Sequence, residues 1–326
     1  MTLLDILLRK ENAPHPNSAP ISTNQSTPLF ALSVKENATL VGTFAKQSND
    51  NYIELVETGQ KYPHRLPPSR VAWNPAQGDS GIFASTSSSL RIWKAGDDKP
   101  VQKLYSNTKS GIPSPMTSLS WNAFNASRVV TSSIDTTLSV WDIESGKLYT
   151  QLIAHDKAVL DVACGGNQHQ FASVSEDGSL RLFDARDLDH STIMYEDSVP
   201  LLRLAWQDSG RASNLLATVA LDSSDVMIFD VRKPGFLVSV LRPGPACPNA
   251  LSWSGPLVAG MSDGSISVCR ELAPSMNSNV IAKLKPDSVL PPPSGYNGGG
   301  VTNVAMNGNH VTCIFGSCVH TTNLVN

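Results

Sequence analysis

His155, Ser173 and Asp177 are the residues of this sequence whose types could do chemistry together. A histidine that takes a proton from a serine hydroxyl while a carboxylate orients its ring is the arrangement of acyl-transfer hydrolases. Repetition argues against that reading. The preceding stretch carries Thr131, Asp135 and Trp141 in similar order without a histidine. A catalytic constellation should occur once, whereas buried polar groups at the corner of a repeated unit need partners and supply them to one another. The set is therefore read as structural.

The elements that must hold these residues are strands. In Leu180-Arg181-Leu182-Phe183 the apolar side chains alternate with a charged one, so Leu180 and Leu182 face one way and Arg181 faces water. Asp177-Gly178 before this run is a hairpin signal. An apolar, small, often Trp pattern then recurs along the chain: Val71-Ala72-Trp73, Leu119-Ser120-Trp121, Leu204-Ala205-Trp206 and Leu251-Ser252-Trp253, with weaker copies at Leu32-Ser33-Val34, Val162-Ala163-Cys164 and Val304-Ala305-Met306. Successive copies lie about 40 to 50 residues apart, the period of propeller blades. Second strands follow, as at Phe83-Ala84-Ser85 and Phe171-Ala172-Ser173, and third strands end in a bulky residue, as at Ile92-Trp93 and Val140-Trp141. Fourth, outer strands fit residues 101–105, 148–153, 191–195, 237–241 and 280–284.

Seven copies predict an all-β chain: a seven-bladed β-propeller of four-stranded antiparallel blades over residues 29–326, each blade shielding the next. The final blade reaches only its third strand near residues 321–325, so an N-terminal strand, at residues 3–8 or around Ile21, is expected to close the ring. Residues 1–28 otherwise read as an arm rich in Pro, Ser, Asn and Thr, and the Pro/Gly stretch 286–300 as an exposed loop.

The unit from His155 to Arg186 looks like one WD40 repeat. Ser133-Ile134-Asp135-Thr136-Thr137 with Val140-Trp141-Asp142-Ile143-Glu144, then 151–157 and the long match from Phe183 to Glu196 and Pro200 to Trp206, resembles the anthocyanin-regulator (TRANSPARENT TESTA GLABRA-like) WD40 proteins. The same family includes the animal scaffold of DYRK-type kinases, described as a cullin-4-associated factor. The resemblance is dense over residues 61–235. It implies a non-catalytic adaptor, without cofactor or metal, that holds DYRK-type kinases and DNA-binding transcription regulators together in cytoplasm and nucleus, as a monomeric propeller within complexes. His155, Ser173 and Asp177 then match three members of the hydrogen-bonded tetrad of WD40 blades, with Phe183 where the indole donor would stand; Thr131, Asp135 and Trp141 are a partial set. The sixth blade departs from the family, ending in Cys269-Arg270 where Trp-Asp is usual.

Phe171 to Arg186 also resembles the sixteen-residue box, ending Trp-Asp-x-Arg, by which some propellers engage the adaptor of cullin-4 ubiquitin ligases. A second copy, one residue longer, spans Leu216 to Arg232. On this reading Asp184 and Asp230 hold Arg186 and Arg232 at the rim, where a guanidinium meets a carboxylate of the adaptor in bidentate fashion. The alternative is that both arginines are ordinary solvated blade ends.

Composition fits an adaptor better than a polyanion binder. The 326 residues carry a net charge of −3, and no global positive field exists to hold a phosphate backbone. Five cysteines and the lack of a secretory leader lead us to expect a reducing compartment, in which the sequons at Asn24, Asn37 and Asn125 mean little. The apolar run at residues 3–8 is interrupted by Asp5 and is far shorter than the roughly 20 residues of a membrane span. Cys313 and Cys318 flank a turn, yet no second pair at zinc-like spacing accompanies them, so they read as core thiols. Gly298-Gly299-Gly300 sits between no strand and helix and cradles no phosphate.

Overall fold

A computed structural model describes residues 29–35, 38–43, 51–76, 81–107, 111–208, 213–270, 282–292 and 299–324. These residues form seven sheets and no helix. The first blade comprises β1 (Leu29–Lys35), β2 (Ala38–Thr43), β3 (Asn51–Leu55) and β4 (Gln60–His64). The second is β5 (Arg70–Trp73), β6 (Ile82–Thr86), β7 (Leu90–Lys94) and β8 (Gln102–Leu104). The third is β9 (Met116–Asn122), β10 (Asn125–Ser133), β11 (Thr137–Asp142) and β12 (Lys147–Ile153). The fourth is β13 (Val159–Cys164), β14 (Gln170–Ser175), β15 (Ser179–Asp184) and β16 (Asp187–Glu196).

The fifth blade begins with β17 (Leu201–Trp206), β18 (Leu215–Ala220), β19 (Val226–Asp230) and β20 (Leu237–Leu241). The sixth holds β21 (Pro248–Trp253), β22 (Leu257–Met261) and β23 (Ile266–Cys269). Its next strand, β24 (Ala282–Leu284), leaves the blade and adds to the outer edge of β20, parallel, pairing Ser239 with Ala282 and Leu241 with Leu284. The sixth blade takes its own outer strand from β25 (Ser288–Leu290), which pairs with β23. Two expectations are corrected here. Of the expected outer strand 280–284, the described residues 282–284 do not complete the sixth blade, and within the 286–300 stretch residues 288–290 form a strand. The seventh blade is β26 (Val301–Asn307), β27 (His310–Phe315) and β28 (Cys318–Asn323). The expected ring-closing strand, at residues 3–8 or near Ile21, and the arm at 1–28 lie outside the described residues.

Central strands are covered on both faces, because each blade is sandwiched between two others. Every residue of β18 (Leu-Leu-Ala-Thr-Val-Ala) and β22 (Leu-Val-Ala-Gly-Met) is accordingly buried. The cores lie between blades: Leu180 and Met194 of the fourth pack with Leu216 and Phe229 of the fifth. The first and last blades meet in the same way, Leu29, Leu32 and Val41 against Ile314 and Val319, and Leu29 N donates to Gly316 O at 2.8 Å. That contact closes the ring of described blades.

Turn chemistry sets the polar corners. Gly178 has φ 83°, and a Cβ there would lie 2.0 Å from Asp197 O, so only glycine fits the fourth-blade turn. In the third blade the corresponding position is Thr136, held at φ 73° despite its branched side chain.

Candidate functional site

His155 sits in the connection between β12 and β13, Ser173 on β14 and Asp177 in the turn before β15, and the fold brings all three together. His155 Nε2 lies 2.7 Å from Ser173 Oγ and Nδ1 lies 3.0 Å from Asp177 Oδ2. Burial holds the imidazole pKa down to about 4, against the pull of Asp177. The neutral ring thus donates from Nδ1 to the carboxylate and accepts at Nε2 from the Ser173 hydroxyl.

Asp177 is further fixed by Ser179 N and Oγ, at 2.9 and 2.7 Å, and by Asp156 N at 3.0 Å. Burial opposes its ionisation, but these hydrogen bonds, with His155, outweigh it and hold the carboxyl at about 2. His155 and Ser173 are 2% and 0% exposed, so no substrate reaches the pair. Phe183 donates nothing; it stacks on Phe171 with ring centroids 5.2 Å apart. The arrangement fastens the β12–β13 connection to the β14–β15 turn.

The third blade shows the indole half of the same device. Trp141 Nε1 donates to Thr131 Oγ1 at 2.9 Å, and Asp135 Oδ1 accepts from Thr137 N and Oγ1 at 3.2 and 2.7 Å. A set missed by sequence reasoning joins the end of the first blade to the second: Trp93 Nε1 donates to Ser85 Oγ at 2.9 Å, and Ser85 Oγ lies 3.1 Å from His64 Nε2. Its turn is shorter, with eight positions from Ser85 to Trp93 where ten separate Ser173 from Phe183. The shortened turn has no carboxylate, and His64 Nδ1 is buried without a partner. Burial, then Arg91 and Lys103, push His64 down to about 3. The His64–Ser85–Trp93 spacing was the available signal.

A second missed residue lies at the ring centre. Asp161 on β13 is 2% exposed and accepts Ser118 Oγ of the third blade at 2.7 Å, Val162 N at 3.0 Å and Leu204 N of the fifth blade at 3.0 Å. Beside it a polar cavity of about 20 Å³ is lined by Arg70, Ser118 and Arg203 among others. The Arg203 guanidinium bonds Asn249 O and Leu202 O. A roomier cleft, about 290 Å³, opens between the fourth and fifth blades; apart from Asp197, Ser223 and Asp225 its lining is apolar.

Arg186 and Arg232 occupy equivalent rim positions after β15 and β19. Arg186 clasps Asp184 in a two-pronged pair, Nε to Oδ1 at 2.9 Å and Nη2 to Oδ2 at 2.6 Å. Arg232 clasps Asp230 in the same manner, at 2.9 and 2.6 Å. The aspartates therefore hold the two guanidinium groups, whose side chains are 65% and 53% exposed. Cys313 is buried and faces His320 across the β27–β28 pair. Among the described residues no three His, Cys, Asp or Glu side chains gather as metal ligands.

The comparisons with known proteins agree with the geometry. The model for the WD40 family, WD domain, G-beta repeat, matches residues 146–184. The DDB1- and CUL4-associated factor 7 homolog of Dictyostelium discoideum is 41% identical over 230 residues, covering 66% of this chain and 70% of that protein. An uncharacterized WD repeat-containing protein of Schizosaccharomyces pombe is 41% identical over 57% of this chain and 49% of its own length. A WD repeat-containing protein of Saccharomyces cerevisiae is 31% identical over 74% of this chain and 55% of its own. The chain thus spans about half the length of the two yeast relatives. With seven blades and polar corners built from His, Ser, Thr, Asp and Trp, the chain belongs to the WD-repeat family of the DDB1- and CUL4-associated factor 7 homologs.

Proposed function

We propose that this protein is a non-catalytic scaffold that bridges protein kinases, of the DYRK type, and DNA-binding transcription regulators, in cytoplasm and nucleus. The observation that supports this most directly is the use of the His155–Ser173–Asp177 set: it is sealed inside a blade corner and echoed in two other blades. Chemistry-bearing side chains are thereby committed to holding loops, and the loops and rims remain for binding other proteins. Affinity purification of the intact protein at low salt tests the reading; recovery of neither kinase nor transcription regulator would remove it.

A second reading is favoured by the paired rim arginines together with the name of the Dictyostelium relative. In it the propeller is a substrate receptor of a cullin-4 ubiquitin ligase, and Arg186 and Arg232, already oriented by Asp184 and Asp230, meet carboxylates of the ligase adaptor. Arg186→Ala with Arg232→Ala should then abolish recovery of the adaptor while sparing the kinase. Adaptor recovery that ignores both substitutions would remove the arginines from this reading.

A further inference from the structure

The outer strands of the blades protect their edges unequally. A strand edge with unpaired backbone groups invites another strand, and proteins blunt it with charge, proline or shortness. β4 carries Lys61 and Pro63, β16 carries Asp187, Asp189, His190 and Glu196, and β8 and β25 are three residues each. Among the fourth strands of the blades two lack these devices: β20, with the run Leu-Val-Ser-Val-Leu, and β12, uncharged from Leu148 to Ile153 with the run Leu-Tyr-Thr-Gln-Leu-Ile. The chain covers the first with its own β24. Among the described residues nothing pairs with the outer side of β12.

The two edges are built alike. In β20 a bulge at Val238 precedes the stretch 239–241 that pairs with β24. In β12 a bulge at Tyr149 precedes residues 150–152, which stand in the same register against β11 as 239–241 do against β19. Tyr149 and Ile153 flank this stretch at 55% and 79% exposure. The Arg128 guanidinium lies 4.6 Å from the Tyr149 ring and holds it outward.

We propose that the outer edge of β12 takes up an extended segment of a partner protein as a fifth strand, parallel to residues 150–152, as β20 takes up β24. The main chain supplies the ladder, and apolar side chains beside Tyr149 and Ile153 supply preference. Proline within the paired stretch is excluded, since it removes a ladder donor, whereas a charge is tolerated there, as Lys283 of β24 illustrates. This edge is separate from the Arg186 and Arg232 rim and stands whether or not either partner reading above holds.

The test is hydrogen exchange on the full chain, with the peptide Val-Ile-Ala-Lys-Leu-Lys-Pro, copied from residues 280–286, as probe. The peptide at millimolar concentration should slow exchange within residues 149–153 by about tenfold. A peptide with Lys283→Pro should have no effect. The Tyr149→Lys/Ile153→Lys double variant, both changes being at exposed positions, should unfold as cooperatively as the parent yet lose the protection. The proposal is overturned if exchange at 149–153 is unchanged, if β16 is slowed equally, or if the edge is already protected in the peptide-free chain. It is equally overturned if sedimentation shows a concentration-dependent dimer protecting the same residues, since the occupant would then be a second copy.

Discussion

The Ser118 hydroxyl donates to Asp161 Oδ1 at 2.7 Å across the seam between the third and fourth blades, while Asp161 Oδ2 takes Leu204 N from the fifth. One carboxylate thus joins three consecutive innermost strands. Buried and multiply bonded acceptors are expensive to remove because their donors are left without water. Asp161→Ala should lower stability by about 1–3 kcal/mol, whereas Ser118→Ala, which leaves the other two bonds in place, should lower it by about 1 kcal/mol. Urea unfolding of the two variants measures the difference, and equal losses would contradict the bridging role.

Acid sensitivity follows from the buried imidazoles. His155 and His64 are held at about 4 and about 3, below the ordinary 6.5, so between pH 6.5 and 4 the unfolded chain binds protons that the folded chain refuses. Stability therefore falls on acidification across this window, each imidazole contributing up to about 1.4 kcal/mol per pH unit. Asp177, held at about 2 instead of 3.8, adds stability that is complete above pH 3.8 and lost as pH drops through 2. Urea midpoints from pH 7.5 down to 4.5 should decline in the parent and decline less steeply in His155→Gln.

The two corner histidines, His64 at the end of β4 and His155 ahead of β13, should not be equivalent. His155 bonds both Ser173 and Asp177, while His64 bonds only Ser85. Substitution by Ala opens a cavity at each position, but only His155→Ala also breaks a bond to a carboxylate, that of the half-buried Asp177, a class worth about 1.5–3 kcal/mol. His155→Ala should consequently shift the thermal midpoint more than His64→Ala, as scanning calorimetry would show.

Thr136 stores backbone strain. Its φ of 73° is unfavourable for a branched side chain, and its carbonyl, which accepts Ala154 N and His155 N, is unaffected by side-chain replacement. Relief of about 1–3 kcal/mol of strain outweighs the added chain entropy of glycine, about 0.5–1 kcal/mol. Thr136→Gly should raise the unfolding midpoint, and a lowered midpoint would refute the strain.

The two rim arginines should differ in their effect on folding. Arg186 and its partner Asp184 are both open to solvent, so Arg186→Ala should leave the midpoint in place, whereas Arg232→Ala strips a buried carboxylate, Asp230, of its cation and should lower it. A thermal scan of the double variant, run beside the adaptor purification, separates loss of binding from loss of fold.

Much of this architecture is legible in the letters because a blade repeats its own physics. The small-Trp first strands and the Asp177-Gly178 turn mark phase, and Ser173 and His155 follow at positions the repeat demands. What escapes is whatever depends on neighbours distant in sequence. Asp161 looks like an ordinary strand residue until Leu204 N and Ser118 Oγ are placed beside it. His64 is hidden by the shortened turn, which removes the carboxylate that would have announced it. Residues 280–284 have the apolar character of an outer strand, and nothing local says that β20 will be its neighbour in place of β23. Spacing sets Arg186 and Arg232 just past their strands, but their two-pronged grip on Asp184 and Asp230 depends on side-chain geometry that spacing does not carry.

β24 belongs to the sixth blade by sequence and to the fifth by hydrogen bonding. In a propeller without such an exchange, neighbouring sectors can fray one at a time. Here the fifth cannot shed its outermost strand without slackening the span that leads to β25, and the sixth cannot melt without baring the edge of β20. These two sectors are laced into one cooperative unit, and unravelling that starts on either side must take both.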